Sequence, residues 1–483
     1  MLFTGVVMGL RVPVFYVVFA AILALIVLLR WTIGFDGLYG QDSHEYYRYA
    51  GEVQAFFLGG ERPGPFFWPV GYSLAIALLG VLGVEPGVAG QCLSALGLAG
   101  AFLFMRRTLC SLPNSIPAAA TVYPLLCVVS APYVLRSGVL VMSDALCLGA
   151  MAGAVYFCTR LCREYQTRWF VAGWLWAGVA VAIRFPSMVM LVVPLGVAVF
   201  LALKAGRWRD LFLGLLVFGV CWIPHVFFRA GGMLEFLDHG LLSGWSPLNW
   251  FSASFDGVDG LRSYRFPNLV FCFSTLFHPG FGVVFPVLLF FVRWDDFRRK
   301  EVWGCLFGFL CTVGFLAGLP FQNSRVLMPA VILILPVLYP AFLRVWARVS
   351  NPRMIGFLAG LVLVAQGALF ALSFRRVVVE NRVERVIAAR LHTLPPRPLY
   401  TFAMDPALRS RQIPNEVRSI FTHRYTHFES GAYFLFNEQR YGLQFENGNP
   451  GKNWKALQSD YQLIGVERFE QGWLLVEIGP PKP

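Results

Sequence analysis

At 483 residues, with 57% of them hydrophobic, 16% aromatic and only 14% charged, the chain has too little polar surface to cover a core in water. That excludes an ordinary soluble protein and leaves a polytopic membrane protein. A net charge of +13 would suit nucleic acid, but the basic residues cluster in short loops between apolar runs, which is the pattern of cytoplasmic loops. Ten cysteines are scattered singly and none follows Cys311, so the polar C-terminal region has no disulfide framework.

The first apolar run, Val12 to Ile33, has no small-residue cleavage site after it and reads as a retained span. At 1.5 Å per residue it is long enough to cross about 30 Å of hydrocarbon. Next comes a stretch holding Asp42 and Glu45 among aromatics. Gln41 to Phe57 is predicted helical, bounded by Gly34, Gly37 and Gly40 before it and by Gly59, Gly60, Pro63, Gly64 and Pro65 after it. A helix there puts Asp42, Glu45, Tyr46 and Tyr49 at i, i+3, i+4 and i+7 on one face, and it would lie along the membrane surface. Pro69 to Leu82 is apolar but short, and reads as a re-entrant or interfacial helix.

Further spans are predicted at Pro86 to Phe104, Ile116 to Tyr133, Val139 to Cys158, Trp169 to Ile183, Met188 to Leu203, Leu211 to Phe228, Phe281 to Val292, Val302 to Leu319, Val326 to Val345 and Met354 to Phe374. With the first this makes about eleven transmembrane helices. That count sets Arg106 and Arg107, Arg160 to Arg168, Lys204 to Arg209, Arg293 to Lys300 and Arg344 to Arg353 on the same, cytoplasmic side as Arg11. The N-terminus is then cytoplasmic. The first loop (34–85), the Arg229 to His278 loop and everything from Arg375 onward lie outside.

The chain thus divides into a transmembrane domain, 1–374, and a small extracytoplasmic domain, 375–483. The latter carries 15 Lys+Arg against 11 Asp+Glu. It reads as α/β, with a helix over Arg375 to Leu394 and strands at Leu399 to Phe402, Ala432 to Phe436 and within Leu463 to Ile478. No Asn-x-Ser/Thr sequon occurs, which favours a bacterial inner membrane over the endoplasmic reticulum.

Ionisable residues at lipid-facing span ends cost several kcal/mol, so their placement is informative. Arg136, Asp144, Arg184, Arg229, His278 and Arg325 all fall at predicted outer ends and, with Asp42 and Glu45, would ring one cavity. Carboxylates surrounded by arginines suit a substrate with a hydroxyl to be deprotonated and a phosphate to be held.

The run Gly40-Gln41-Asp42-Ser43-His44-Glu45-Tyr46-Tyr47-Arg48-Tyr49-Ala50, then Leu58-Gly59-Gly60, then Trp68-Pro69-Val70-Gly71-Tyr72, resembles the start of the GT-C superfamily of membrane glycosyltransferases. It is most similar to the branch of protein O-mannosyltransferases and lipid A aminoarabinose transferases. Ser143-Asp144-Ala145-Leu146, Ile183-Arg184-Phe185-Pro186 and Ser324-Arg325-Val326-Leu327-Met328-Pro329 extend the match in order. The resemblance implies an inverting transferase that takes a sugar from a polyprenyl-phosphate donor at the outer face and gives it to a lipid, cell-envelope glycan or protein. It implies Asp42 as general base, with Glu45 beside it as a second catalytic candidate. Tyr46, Trp68, Tyr72 and Asp144 are candidate substrate contacts, and Arg184, Arg325 and His278 candidate phosphate ligands. In the O-mannosyltransferases the first-loop carboxylates are adjacent; here Ser43 and His44 separate them.

Each residue also has a plainer reading. Asp42 with Glu45 three residues on resembles a helix capping box, His44 reads as a surface group, Arg48 as a headgroup or ion-pair residue, and Trp68 and Tyr72 as interfacial aromatics. Asp144 could cap its span, and Arg184 and Arg325 could snorkel. Asp256 and Asp259 sit in a Gly-rich loop. No cofactor is called for, although Asp42, Glu45 and Asp144 are ligand types a divalent metal ion accepts; no Asp-x-Asp pair occurs in the first loop. The alternative function is a transporter or lipid flippase, which would line a path at the midplane instead of one face.

Overall fold

The structure is a computed structural model and describes residues 13–229, 242, 244–257, 260–349 and 351–483; Arg11 and Asp259 lie outside the described residues. The chain forms two compact units. One consists of Met1–Gly37, Tyr49–Phe251 and Phe266–Phe374, the other of Leu38–Arg48, Ser252–Arg265 and Arg375–Pro483.

The first unit is helical. Among the described residues, seven helices are long and apolar enough to cross a membrane: Val14–Ile33, Pro86–Cys110, Ser143–Arg163, Ser187–Lys204, Trp208–Phe228, Ala330–Arg348 and Pro352–Thr393. Pro117–Val129 and Pro132–Val139, bent by 73° at their break, make an eighth if taken as one span. Shorter apolar helices lie at Gly71–Val81, Thr167–Ile183 and Val302–Ala317. The protein is therefore an integral membrane protein, but the count of eleven spans is not matched. Phe281 to Val292, expected to cross, holds only the six-residue helix Val284–Leu289. Its apolar run stops at Arg293, well short of the roughly 20 residues a crossing needs.

The bent pair departs from the straight span expected over Ile116 to Tyr133. Pro124 lies inside the first helix, a π-helical turn follows at Leu125–Val129, and Pro132 opens the next helix. Proline removes a ladder donor and a π-turn widens the coil, so the axis breaks here. Gln366 answers the disturbance from the Pro352–Thr393 helix by donating its Nε2 hydrogen to the Leu126 carbonyl at 2.9 Å.

The second unit contains two sheets. Strands β1 (Ser254–Gly257) and β2 (Gly260–Ser263) form an antiparallel pair. Strands β3 (Leu399–Thr401), β4 (Val417–Ser419), β5 (Tyr433–Phe436), β6 (Tyr461–Arg468) and β7 (Leu474–Pro481) form a mixed sheet in the order β4-β3-β5-β7-β6. β3 is parallel to β4 and β5, while β7 is antiparallel to β5 and β6. Strand alternation sends Leu399, Tyr433, Leu435 and Leu475 to one face, against Val383, Ile387, Ala388 and Leu391 of the long helix. Tyr400, Phe434, Phe436, Val476 and Ile478 face the other way, onto Trp454 and Leu457 of the Asn449–Asp460 helix. A sheet covered on both faces explains why its strands read as unbroken apolar runs. The small sheet-containing C-terminal domain is as expected, with β4 an addition the sequence did not signal.

Candidate functional site

The helical unit gathers three of the expected residues. Asp144 lies in the first turn of Ser143–Arg163 and is 4% exposed. Arg184 ends Thr167–Ile183, and its Nη1 donates to Asp144 Oδ1. Arg325 donates from Nε to Asp144 Oδ2 at 2.8 Å, with Nη2 also 2.8 Å from that oxygen. Two guanidinium groups thus share one buried carboxylate, a cluster with one excess positive charge among the three side chains. Neither arginine merely snorkels.

The neighbouring backbone explains how the cluster is held. Tyr72 is fully buried; its hydroxyl donates to the Gly90 carbonyl and lies 2.9 Å from Ser94 Oγ. Ser94 in turn donates to the Met142 carbonyl, two residues before Asp144, at 3.1 Å. Gln91 donates to the Val139 carbonyl at 2.8 Å and accepts from Arg30 Nε at 2.6 Å. Val141 donates to the Gly37 carbonyl at 2.9 Å. Gly71 lets its helix meet the end of Thr167–Ile183, since a Cβ there would sit 2.5 Å from the Ala182 carbonyl oxygen, two residues before Arg184. The Pro69-Val70-Gly71-Tyr72 turn therefore braces Asp144 and Arg184. This corrects the expectation that Tyr72 contacts substrate: its hydroxyl is engaged with Gly90 and Ser94 inside the helix packing.

His278 is exposed, with its ring stacked on Tyr133 at 5.2 Å. Its Nδ1 accepts from the Gly280 N–H at 3.0 Å, and desolvation of the ring by its packed neighbours pushes the imidazole pKa down. A ring that accepts at Nδ1 is neutral, so the contribution left to it is a single N–H at Nε2. Arg136 lies over the Tyr133 ring at 5.0 Å. Trp68 is half-buried beside Phe66 and Phe67.

In the second unit, Asp42 and Glu45 lie on the Gly40–Phe57 helix, close to the predicted bounds. The helix begins before Asp42, so Asp42 occupies the first turn and is not the N-cap itself; a carboxylate there is favoured by the helix dipole. Asp42 and Glu45 are both partly exposed, while Tyr46 is buried at 1%. Glu45 accepts from Arg48 Nε at 3.1 Å and Nη2 at 2.8 Å, the ion-pair one of the two readings open for Arg48. Burial, reinforced by the Glu45 charge, raises the Asp405 carboxyl pKa. His44 is the residue the sequence misjudged: it is 1% exposed, with Nδ1 2.7 Å from Ser410 Oγ and Nε2 2.9 Å from Glu384 Oε2. Among the described residues, no group of three or more His, Cys, Asp or Glu side chains is arranged to hold a metal ion.

These features define a polytopic membrane protein with a small sheet-bearing domain. That fold is shared with ArnT from Cupriavidus metallidurans. The crystal structure of that protein bound to undecaprenyl phosphate superposes with a TM-score of 0.57 at 15% identity, over 95% of this chain and 97% of the other. Its apo structure gives 0.57 at 16% identity over the same shares. No protein-family model and no curated protein sequence matches the chain.

Proposed function

We propose that the protein is a polyprenyl-phosphate-dependent glycosyltransferase of a bacterial inner membrane. It moves a sugar to a lipid, cell-envelope glycan or protein acceptor at the outer face, with inversion. The observation that carries this reading is the convergence of Arg184 and Arg325 on Asp144, because a donor's phosphate gains negative charge as the glycosidic bond breaks. Guanidiniums already oriented by a carboxylate meet that charge with little reorganisation. The likeness to ArnT, one of whose structures contains undecaprenyl phosphate, supports the choice of donor.

In this reading Asp42 takes the proton of the acceptor hydroxyl as that oxygen attacks the anomeric carbon in line. The leaving group is a stable phosphate anion, so no strong general acid is needed. Glu45 stands beside the base, its charge balanced by Arg48. Trp68 and the Nε2 hydrogen of His278 are further candidate substrate contacts; Tyr46, expected to be another, is buried and would act by supporting the helix that carries Asp42. The test is direct binding of undecaprenyl phosphate to the purified protein and to Arg325→Ala. Loss of one charge-assisted pair should weaken binding by about tenfold or more. Equal affinity of the two would remove Arg325 from the phosphate site. No binding by either would remove the donor class.

A further inference from the structure

We propose that His44 is a positioning residue for Asp42, and that Glu384 and Ser410 of the C-terminal domain set the direction of the Asp42 carboxylate through it. This rests on the reading of Asp42 as general base. His44 lies two residues after Asp42, in the first two turns of the Gly40–Phe57 helix. Its ring is held at both nitrogens, by Ser410 Oγ at 2.7 Å and Glu384 Oε2 at 2.9 Å. Ser410 is itself anchored, donating to the Ala407 carbonyl at 2.9 Å, and Arg411 Nη2 lies 3.5 Å from the same Glu384 oxygen. A ring gripped at both ends can neither flip nor slide, and its backbone follows.

A second tie lies on the other side of Asp42. Asn381, 1% exposed, donates Nδ2 to the Leu38 carbonyl at 2.9 Å. Asn381 and Glu384 are i, i+3 neighbours on the Pro352–Thr393 helix, so residues 38 and 44 are fastened to one rigid element and Asp42 is bracketed between them. A buried His–Glu pair adds little to stability, because desolvation offsets its attraction. Holding a catalytic base to within about 0.5 Å is a task it does suit. The Ser410-His44-Glu384 series is not itself a hydrolytic site, since Ser410 is 8% and His44 1% exposed and no substrate carbonyl can reach them.

The test uses full-length His44→Ala, His44→Gln, Glu384→Gln, Asp42→Asn and the Asp42→Asn/Glu384→Gln double variant in membrane vesicles that supply the acceptor. Turnover is read as undecaprenyl phosphate released from its mannosyl, glucosyl or aminoarabinosyl ester, and hydrogen exchange of segment 38–48 is read in parallel without substrate. Glu384→Gln and His44→Ala should lower kcat by about tenfold or more with KM nearly unchanged, and His44→Gln should recover part of the loss. The double variant should be no slower than Asp42→Asn alone, because His44 acts only through Asp42. Exchange in 38–48 should quicken while 399–436 stays protected. Unchanged kcat in Glu384→Gln and His44→Ala, or unchanged exchange in 38–48, overturns the proposal. A fully active Asp42→Asn overturns the general-base reading instead, and with it any catalytic purpose for the clamp that exchange would still detect.

Discussion

Arg325 Nε lies 2.8 Å from Asp144 Oδ2 although 181 residues separate the two in the chain. With Arg184 on the other oxygen, the carboxylate is the common anchor of two cations. Removing it leaves both guanidiniums without that anchor in a largely buried place. Asp144→Ala should therefore lose about 3–5 kcal/mol of stability, and Asp144→Asn, which keeps the shape but not the charge, a loss of the same order. Thermal unfolding in one detergent measures this; an unchanged midpoint for Asp144→Asn would show that charge does not hold the cluster.

Asp42→Asn keeps size and hydrogen-bonding shape while removing the base. Transfer should fall by about a hundredfold to ten-thousandfold, the usual worth of a positioned base, with insertion and thermal midpoint little altered. Radiolabelled sugar transfer beside a size-exclusion profile separates loss of chemistry from loss of fold.

Gly37 has φ +91, and a Cβ there would stand 2.7 Å from Gln91 Cδ. Gln91 cannot easily withdraw, because Arg30 and the Val139 carbonyl hold it. Gly37→Ala should cost about 1–3 kcal/mol through backbone strain and displacement of that amide. Adding Gln91→Ala should relieve the clash but not the strain, so calorimetry of the pair should find less than full rescue.

Asp405 provides a pH signature. Burial, with Glu45 adding to it, raises its folded-state pKa above the unfolded value. Below the unfolded value both states are protonated and nothing is lost. As pH climbs from there through the folded value, the carboxyl penalises the folded state, and the penalty stays in place at neutrality. Asp405→Asn should thus raise the unfolding midpoint at pH 7, and the gain should vanish below the ordinary carboxylate range. A gain independent of pH would point to packing instead of charge.

Much of this was legible from local pattern. The helix around Asp42 showed itself through flanking glycines and prolines, and the C-terminal strands through apolar runs cut by Gly and Asn. Asp144, Arg184 and Arg325 were noticeable because charge at a span end is costly. What stayed hidden depended on distant partners. His44 read as a surface group because Glu384, which buries it, is 340 residues away. Tyr72 read as a substrate contact because nothing local announced Ser94 beneath its hydroxyl. Phe281 to Val292 misled because hydropathy registers apolarity over a window without requiring that one helix fill it.

The π-helical turn at Leu125–Val129 ties the inheritance of two separated positions together. The Leu126 carbonyl accepts from the Gln366 amide at 2.9 Å and, at 3.3 Å, from Ser130 Oγ, so replacing that glutamine with an aliphatic residue would leave the acceptor with only its longer bond in an apolar interior. Descendants of this chain should then keep the amide together with the kink, or lose both. Substitutions straightening 124–132 should tolerate leucine at 366 better than those preserving the kink.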